Sequence, residues 1–316
     1  MKNIKIINET NLLESIKYLS NEHLVAFPTE TVYGLGADAT SDKAVASIFS
    51  LKNRPQFNPL ISHVHSEEAA FRYGRCTTYA KILSKAFWPG PLTMIFNRTK
   101  DCNISYLACS GLDSVALRVP SYGEILKLLK KFDKPLAAPS ANKSGKVSPT
   151  SAQHVYDELG NNVKMILDGG ETLNGIESTV IDIRGEDLIC LRPGPITEEM
   201  IEEKLNLKVK KKYFSNNPES PGQLRKHYSP NAKIVLNSLR PSEGSAYLGF
   251  KDHMPKNFEG CALNLSSEGN IIEAASNLFK MLRKIDQGNP KEICIAPIPS
   301  KGIGEAINDR LKRASS

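Results

Sequence analysis

Short apolar, β-branched runs alternate with amphipathic helical stretches along the first two-thirds of this chain, and no other feature limits its possible folds so strongly. "IKII" and "HLVAFP" read as strands, with a helical stretch from about Asn11 to Ser20 between them. "SDKAVASIFSLK" reads as a helix with Ser41 or Asp42 as its N-cap, and residues from about Thr77 to Phe87 as another that Pro89 stops. "PLISHV", "LTMIFN" and "SVALRVP" are strand-like, "YGEILKLLKKF" is an amphipathic helix, and "PLAAPS" is a strand ending in a polar loop. "TSAQHVYDELG" reads as a helix with Thr150 and Gln153 as a capping box and Gly160 as its stop. "VKMILD", "STVIDI" and "LICLRP" follow as strands, and "TEEMIEEKL" as a helix. Mixed alternation of this kind predicts an α/β domain with a partly antiparallel sheet, assigned to residues 1–212.

A charged patch, "LKVKKKYF", leads into residues 213–231, a linker that holds "SPGQLRKHYSP". Residues 232–316 read as a small, separate, Rossmann-like α/β unit. Its strands are "KIVL", "SAYLGF", "CALNLS" and "EICIAPIP"; its helices run from about Asn270 to Asp286 and over "GEAINDRLKRA". A length of 316 residues suits two such domains. No stretch approaches the roughly 18–20 apolar residues of a membrane span, and the N-terminal "MKNIKIINETNLLESIKYLS" lacks a signal-peptide core. A cytoplasmic protein is expected. The six cysteines form no C-x-x-C pair, so neither a zinc ribbon nor a thioredoxin-type site is indicated, and buried free thiols are expected. A net charge of +7 is compatible with a polyanionic ligand such as ATP or RNA, as it is with none.

Several familiar nucleotide and metal signatures fail on inspection. "GLGADA" matches a dinucleotide fingerprint only superficially, because "TETVY" intervenes after the strand and no acidic residue follows at the ribose position. Its glycines imply close backbone approach or a tight turn. No G-x-x-x-x-G-K-[ST] string exists, and "SGKVS" lacks the remainder of one. "HVH" places His63 and His65 on one strand face, yet no further ligands are spaced to complete a metal site.

The loops after strands carry more information. "FPTETVYGLG" packs Thr29, Glu30, Thr31 and Tyr33 beyond a strand. "LKNRPQFNPL" puts Lys52 and Arg54 past a helix end with Asn58 following, and "PLAAPSANKSGKVSPT" offers Ser140, Asn142, Lys143, Ser144 and Ser148. "GIESTV" and "LRPGPI" add Ser178, Thr179 and Arg192. Hydroxyls, amides and fixed cations at strand ends suit a phosphate-bearing ligand, although solvated loops share the composition.

Together these segments resemble the YrdC-like threonylcarbamoyl-AMP synthases. The resemblance rests on "FPTETVYGLGADA", "KNRPQFNPLISHV", "FWPGPLTMIF", "ALRVPSY", "PLAAPSANKSGKVSPT", "DGG", "GIESTVIDI" and "LRPGPIT", in family order. "SPGQLRKHYSP" and the tail ending "GIGEAINDRLKRA" look like the two-domain form, so nearly the whole chain is covered. The resemblance implies an open twisted sheet with a basic concave cavity. It also implies synthesis of L-threonylcarbamoyl-AMP from L-threonine, bicarbonate and ATP, with release of pyrophosphate. The product would feed threonylcarbamoyladenosine modification of tRNA through a downstream threonylcarbamoyl-transferase complex. Magnesium would arrive with ATP, held by phosphates and water.

The family's catalytic tetrad falls on Lys52, Arg54, Ser140 and Asn142. By the same resemblance ATP lies against Arg54, Asn58, Ser140, Ser148 and Arg192, and threonine and bicarbonate near Thr31, His63, Arg118, Ala138 and Ser178. No protein nucleophile is required, since the threonine carbamate itself attacks the α-phosphorus. The segment with Arg225, His227 and Tyr228 is expected to form a lid over the cavity, with His227 and Tyr228 touching the nucleotide. Two alternatives stand beside this reading. One is a non-catalytic tRNA- or double-stranded-RNA-binding protein that uses the lysine run, and the other a carbamoyl-adenylate-forming enzyme of the hydrogenase-maturation type.

Overall fold

The computed structural model describes residues 3–256 and 258–316; Met1 and Lys2, at the head of the N-terminal stretch read above, lie outside them, as does Asn257. Among the described residues eleven strands form the first sheet: β1 (Ile4–Ile6), β2 (Val25–Phe27), β3 (Gly34–Asp38), β4 (Ile61–His63), β5 (Leu92–Asn97), β6 (Ser114–Arg118), β7 (Leu136–Ala137), β8 (Met165–Asp168), β9 (Thr179–Asp182), β10 (Leu188–Arg192) and β11 (Val209–Lys211). Their order is β1-β8-β2-β3-β7-β4-β6-β5-β9-β10-β11. Parallel pairs such as β4 with β6 alternate with antiparallel ones such as β2 with β3, so the sheet is mixed, as the alternation predicts.

Strand alternation divides the apolar residues between two faces. Val25 and Phe27 of β2 pack with helices α1 (Glu9–Ser20) and, through Ile125 and Leu128, α5 (Gly123–Phe132). Ala26 joins the larger core on the other face, with Val45 and Ile48 of α2 (Asp42–Lys52), Ala69 of α3 (Glu67–Tyr73), Leu83 of α4 (Thr78–Phe87), Val155 of α6 (Ala152–Leu159) and Ile201 of α7 (Glu198–Leu205). Nearer the middle of the sheet, register sets Ile61 beside Ala116 and His63 beside Arg118. This is the stretch over which the cavity opens.

One open alternative is decided and three sequence expectations are corrected. "GLGAD" is not a turn but strand β3, buried throughout. Its glycines serve close approach: a Cβ on Gly36 would stand 2.4 Å from the Phe27 ring. The helix that follows "VSPT" is capped by Ser151, whose Oγ accepts from the His154 N–H, rather than by Thr150, and Gln153 reaches Asp157 instead. Cys76 and Cys261 are exposed, so only some of the free thiols are buried. The lysine run is not an open basic patch. Val209–Lys211 is edge strand β11, and Lys208, Lys210, Lys211 and Lys212 pair with Glu202, Asp187, Glu305 and Glu219.

The tail has its own all-parallel sheet, ordered β12-β15-β13-β14, from β12 (Lys233–Val235), β13 (Ala246–Gly249), β14 (Ala262–Asn264) and β15 (Glu292–Ile295). Helices α8 (Ile271–Asp286) and α9 (Ile303–Ala314) pack on it. It is less separate than expected. Its core also takes in Val32, Val147 and Ile176 from the first part of the chain. Gly175 presses directly on α8, where a Cβ would meet the Ser276 carbonyl oxygen at 2.3 Å.

That contact yields a stability prediction. Gly175 and Gly170 both have positive φ, +68° and +81°, but nothing stands near a Cβ on Gly170. Gly170→Ala should cost about 1 kcal/mol from backbone strain alone. Gly175→Ala should cost at least about 2 kcal/mol, because backbone must also yield. Urea midpoints of the two variants check this, and equal losses would mean that the two parts are not clamped at Gly175.

Candidate active site

A cavity opens between strand ends and loops of the first domain and the 213–231 segment. Of the residues expected at the site, Thr31, Arg54, His63, Arg118, Ala138, Ser140, Ser178, Arg192, His227 and Tyr228 line it. They come from separate strand ends and loops, so only the folded sheet brings them together. Lys52, Asn58, Asn142 and Ser148 are buried but stand behind the lining. Arg225 is exposed and takes no part, so the His-Tyr half of "RKHY" enters the site and the Arg-Lys half does not.

Lys52 is the last residue of α2. Its ammonium donates to the carbonyl oxygens of Ser140, at 2.6 Å, and Asn142. It thereby fastens the loop after β7 from beneath. Burial, with Arg54 adding to it, lowers the lysine pKa well below its ordinary value. Asn142 closes the same loop through hydrogen bonds to the carbonyls of Lys143 and Lys146, at 2.8 and 2.9 Å.

Arg54 projects from just beyond the helix end, where Asn53 turns the chain with φ 49°. Its Nε and Nη2 donate to the carbonyls of Asn58 and Pro59, at 3.0 and 2.9 Å. Neutral acceptors fix the guanidinium without cancelling its charge. Burial pushes its pKa down to about 9, still above neutrality. Arg192 is held likewise. Its Nε donates to the Ser178 carbonyl and its Nη2 to the Ser178 hydroxyl, both at 3.0 Å, and that hydroxyl meets Thr93 at 2.8 Å.

Arg118 also lines the cavity, and its Nη1 donates to Thr31 Oγ1 at 3.0 Å. Its Nη2 lies 2.7 Å from Glu30 in a buried ion pair that is poorly aligned for a hydrogen bond. His63 stands beside it with Nδ1 unpartnered among the described residues. Burial, and then Arg118, push the His63 pKa down to about 3, so the ring is neutral at physiological pH, with one nitrogen carrying a proton and the other able to accept a hydrogen bond. His227 is likewise buried, neutral and pushed down to about 3, again with Nδ1 unpartnered among the described residues. Tyr228 stacks on Phe279 of α8, ring centroids 5.4 Å apart.

Sequence reasoning missed the residues that neutralise the site. Glu177 lines the cavity. One of its carboxylate oxygens accepts from Ser148 and the other from Arg310 of α9, at 2.9 Å. Arg313, also on α9, donates to the carbonyls of Leu224, at 2.6 Å, and Tyr213, at 2.8 Å, and so ties down the lid segment. Glu177 and Glu30 adjoin recognised motif residues, but arginines 133 positions apart from a partner leave no local signal. Among the described residues no group of three or more His, Cys, Asp or Glu is placed to hold a metal, and no helix is long and apolar enough to cross a membrane.

Fixed buried cations, hydroxyls and neutral histidines at the strand ends of an α/β sheet define a class of protein with a site suited to an anionic ligand. The comparisons with known proteins give this class a family. The Sua5–YciO–YrdC family, described as "Telomere recombination", matches residues 17–194, and "Threonylcarbamoyl-AMP synthase, C-terminal domain" matches residues 196–316. The chain belongs to this family, in its two-domain form. It is 36% identical to the threonylcarbamoyl-AMP synthase of Pyrococcus abyssi, covering 98% of this chain and 95% of that one. It is 36% identical to that of Bacillus subtilis, covering 98% and 94%. The crystal structure of P. abyssi Sua5 complexed with L-threonine superposes with a TM-score of 0.90 at 34% identity, over 99% of this chain and 96% of that one.

The two neutral histidines set a pH dependence. Each takes a proton near its ordinary 6.5 when unfolded but only near about 3 when folded. The unfolded chain therefore binds more protons between those values. The stability from keeping the rings neutral is complete above about pH 6.5 and is lost as pH falls toward about 3. Urea midpoints measured from about pH 7.5 down to about 4.5 should fall more steeply for the wild type than for His227→Asn. Parallel slopes would contradict the burial assigned to His227.

Proposed function

We propose that this chain is a threonylcarbamoyl-AMP synthase: it joins L-threonine, bicarbonate and ATP into L-threonylcarbamoyl-AMP and releases pyrophosphate. The observation that carries this reading is one cavity lined by two sets of cationic and polar groups, Arg118 with Thr31 and His63, and Arg54 with Arg192. The Arg118 guanidinium suits the carboxylate of an amino acid. The threonine-bound structure of a relative 34% identical over nearly the full chain supports threonine as the amino acid. Arg54 and Arg192, held by neutral acceptors, keep full charge for phosphates.

The chemistry follows from these placements. Threonine's ammonium loses a proton to solvent, the free amine adds to the carbon of bicarbonate, and loss of water leaves a carbamate. His63, neutral with a free Nδ1, accepts a hydrogen bond from the amine and orients its lone pair; its low pKa makes it a poor store for the proton. A carbamate oxygen then attacks the α-phosphorus, the bond to the bridging oxygen breaks, and pyrophosphate leaves with the electron pair. No side chain becomes covalently linked. Glu177, which lines the cavity, and Glu30, buried beside it, are both engaged by arginines. Magnesium therefore enters as part of the nucleotide substrate, coordinated by phosphates and water. Buried His227 and Tyr228 keep water from a product that it would hydrolyse. Delivery of that product to a tRNA-modifying transferase complex belongs to the same proposal. Full-length coverage and the C-terminal match favour this reading over the carbamoyl-adenylate alternative. The ion-paired lysine run removes the main support for a purely RNA-binding role.

The test is direct. Incubated with ATP, Mg²⁺, labelled threonine and bicarbonate, the protein should form an acid-labile species with the mass of threonylcarbamoyl-AMP, in step with pyrophosphate. Absence of a bicarbonate-dependent product would overturn the proposal. Arg54→Lys keeps a charge but loses the planar fork on the Asn58 and Pro59 carbonyls, and should lower turnover by about 100-fold or more. Arg118→Gln should raise the KM for threonine by about tenfold or more and leave that for ATP nearly unchanged, which initial-rate kinetics would resolve.

A further inference from the structure

A carboxylate is a misplaced group in a cavity built for a triphosphate. Glu177 lines the cavity and its side chain is buried, on the nucleotide side with Arg192, His227 and Tyr228 around it. An uncompensated negative charge there would repel the phosphates and would draw Arg192 away from them. The structure shows the compensation. Arg310, 1% exposed, reaches from α9 of the tail and donates from Nε to Glu177 Oε2 at 2.9 Å. Its guanidinium also packs against the Tyr228 ring, 5.3 Å from the centroid. Arg310 Nη2 is unpartnered among the described residues. Asp309 engages Arg310 Nη1 at 2.9 Å and chelates Arg313, so two arginines and two carboxylates make a balanced buried cluster. Removal of Arg310 alone leaves Glu177 as the unbalanced member facing the cavity.

We propose that Arg310 is a positioning residue for the nucleotide: from the second domain it neutralises Glu177, so that Arg192 and the cavity accept the triphosphate. This rests on the reading of the cavity as an ATP site. It gives the tail a defined part in the reaction and makes ATP affinity, not threonine affinity, depend on α9. Arg310 lies behind the cavity wall and touches the site through Glu177 and Tyr228.

Calorimetric titration of the full chain with a non-hydrolysable ATP analogue and, separately, with threonine tests the proposal. Arg310→Met should weaken analogue binding by about tenfold or more and leave threonine binding within about twofold. Arg310→Met combined with Glu177→Gln should recover most of that loss, because no unbalanced carboxylate remains. Glu177→Gln alone, which does not require the buried arginine to be removed, should bind the analogue as tightly as the wild type or more tightly. Equal affinity in Arg310→Met, failure of the double variant to recover while it retains the wild-type urea midpoint, or tenfold weaker binding in Glu177→Gln would each overturn the role assigned to Arg310. If the wild type itself does not bind the analogue, the ATP reading fails instead.

Discussion

Positive charge kept inside a folded protein is the constraint on which this structure depends. Lys52, Arg54, Arg118, Arg192, Arg310 and Arg313 are all buried, and a buried charge without partners is prohibitively costly. The chain meets that cost in two ways. Lys52, Arg54 and Arg192 donate to neutral oxygens rather than to carboxylates. Arg118, Arg310 and Arg313 have carboxylate partners. Of the first group, Arg54 and Arg192 line the cavity and are free to meet an anionic substrate, while Lys52 fastens the loop behind them; the second group shapes the site. That division of labour, rather than the net charge of the chain, distinguishes a phosphate site from a basic surface.

The same constraint explains why the second domain cannot be read as an appendage. Its last helix carries Arg310 to Glu177 at the cavity and Arg313 to the lid backbone, and its core closes over Val32 and Ile176 of the first part. The lid is accordingly held at both ends: Ser229 N–H donates to the Gly145 carbonyl at 2.8 Å, and Gln223 bonds the Lys212 carbonyl at 3.1 Å. Sheet, lid and tail form one active-site assembly built from distant parts of the chain.

Much of the fold was legible in the sequence because it is local. Ser41, Thr77 and Thr197 cap helices where side-chain chemistry says they should, and β4, β5, β6, β9 and β10 follow their apolar runs. Strand β3 was not legible, because Gly34 and Gly36 answer to a ring on the neighbouring strand that no local pattern announces. The site was legible only through motif resemblance, and there it reached the strand-end residues that line the cavity. It assigned Lys52 to the catalytic tetrad, whereas its ammonium donates to the carbonyls of the Ser140–Asn142 loop, counted the exposed Arg225 into the lid, and passed over Glu177 and Arg310, whose meaning arises only when α9 docks.

The central claim is that the cavity adenylates a carbamate made in place from threonine, and not threonine's own carboxylate, which Arg118 is positioned to occupy. Exchange of radiolabelled pyrophosphate into ATP separates these directly, since reversal of the adenylation step incorporates label only when its true acceptor is present. Label should enter ATP when threonine and bicarbonate are both supplied, and remain at background when either is omitted. Exchange with threonine alone, in buffer freed of carbon dioxide, would contradict the account.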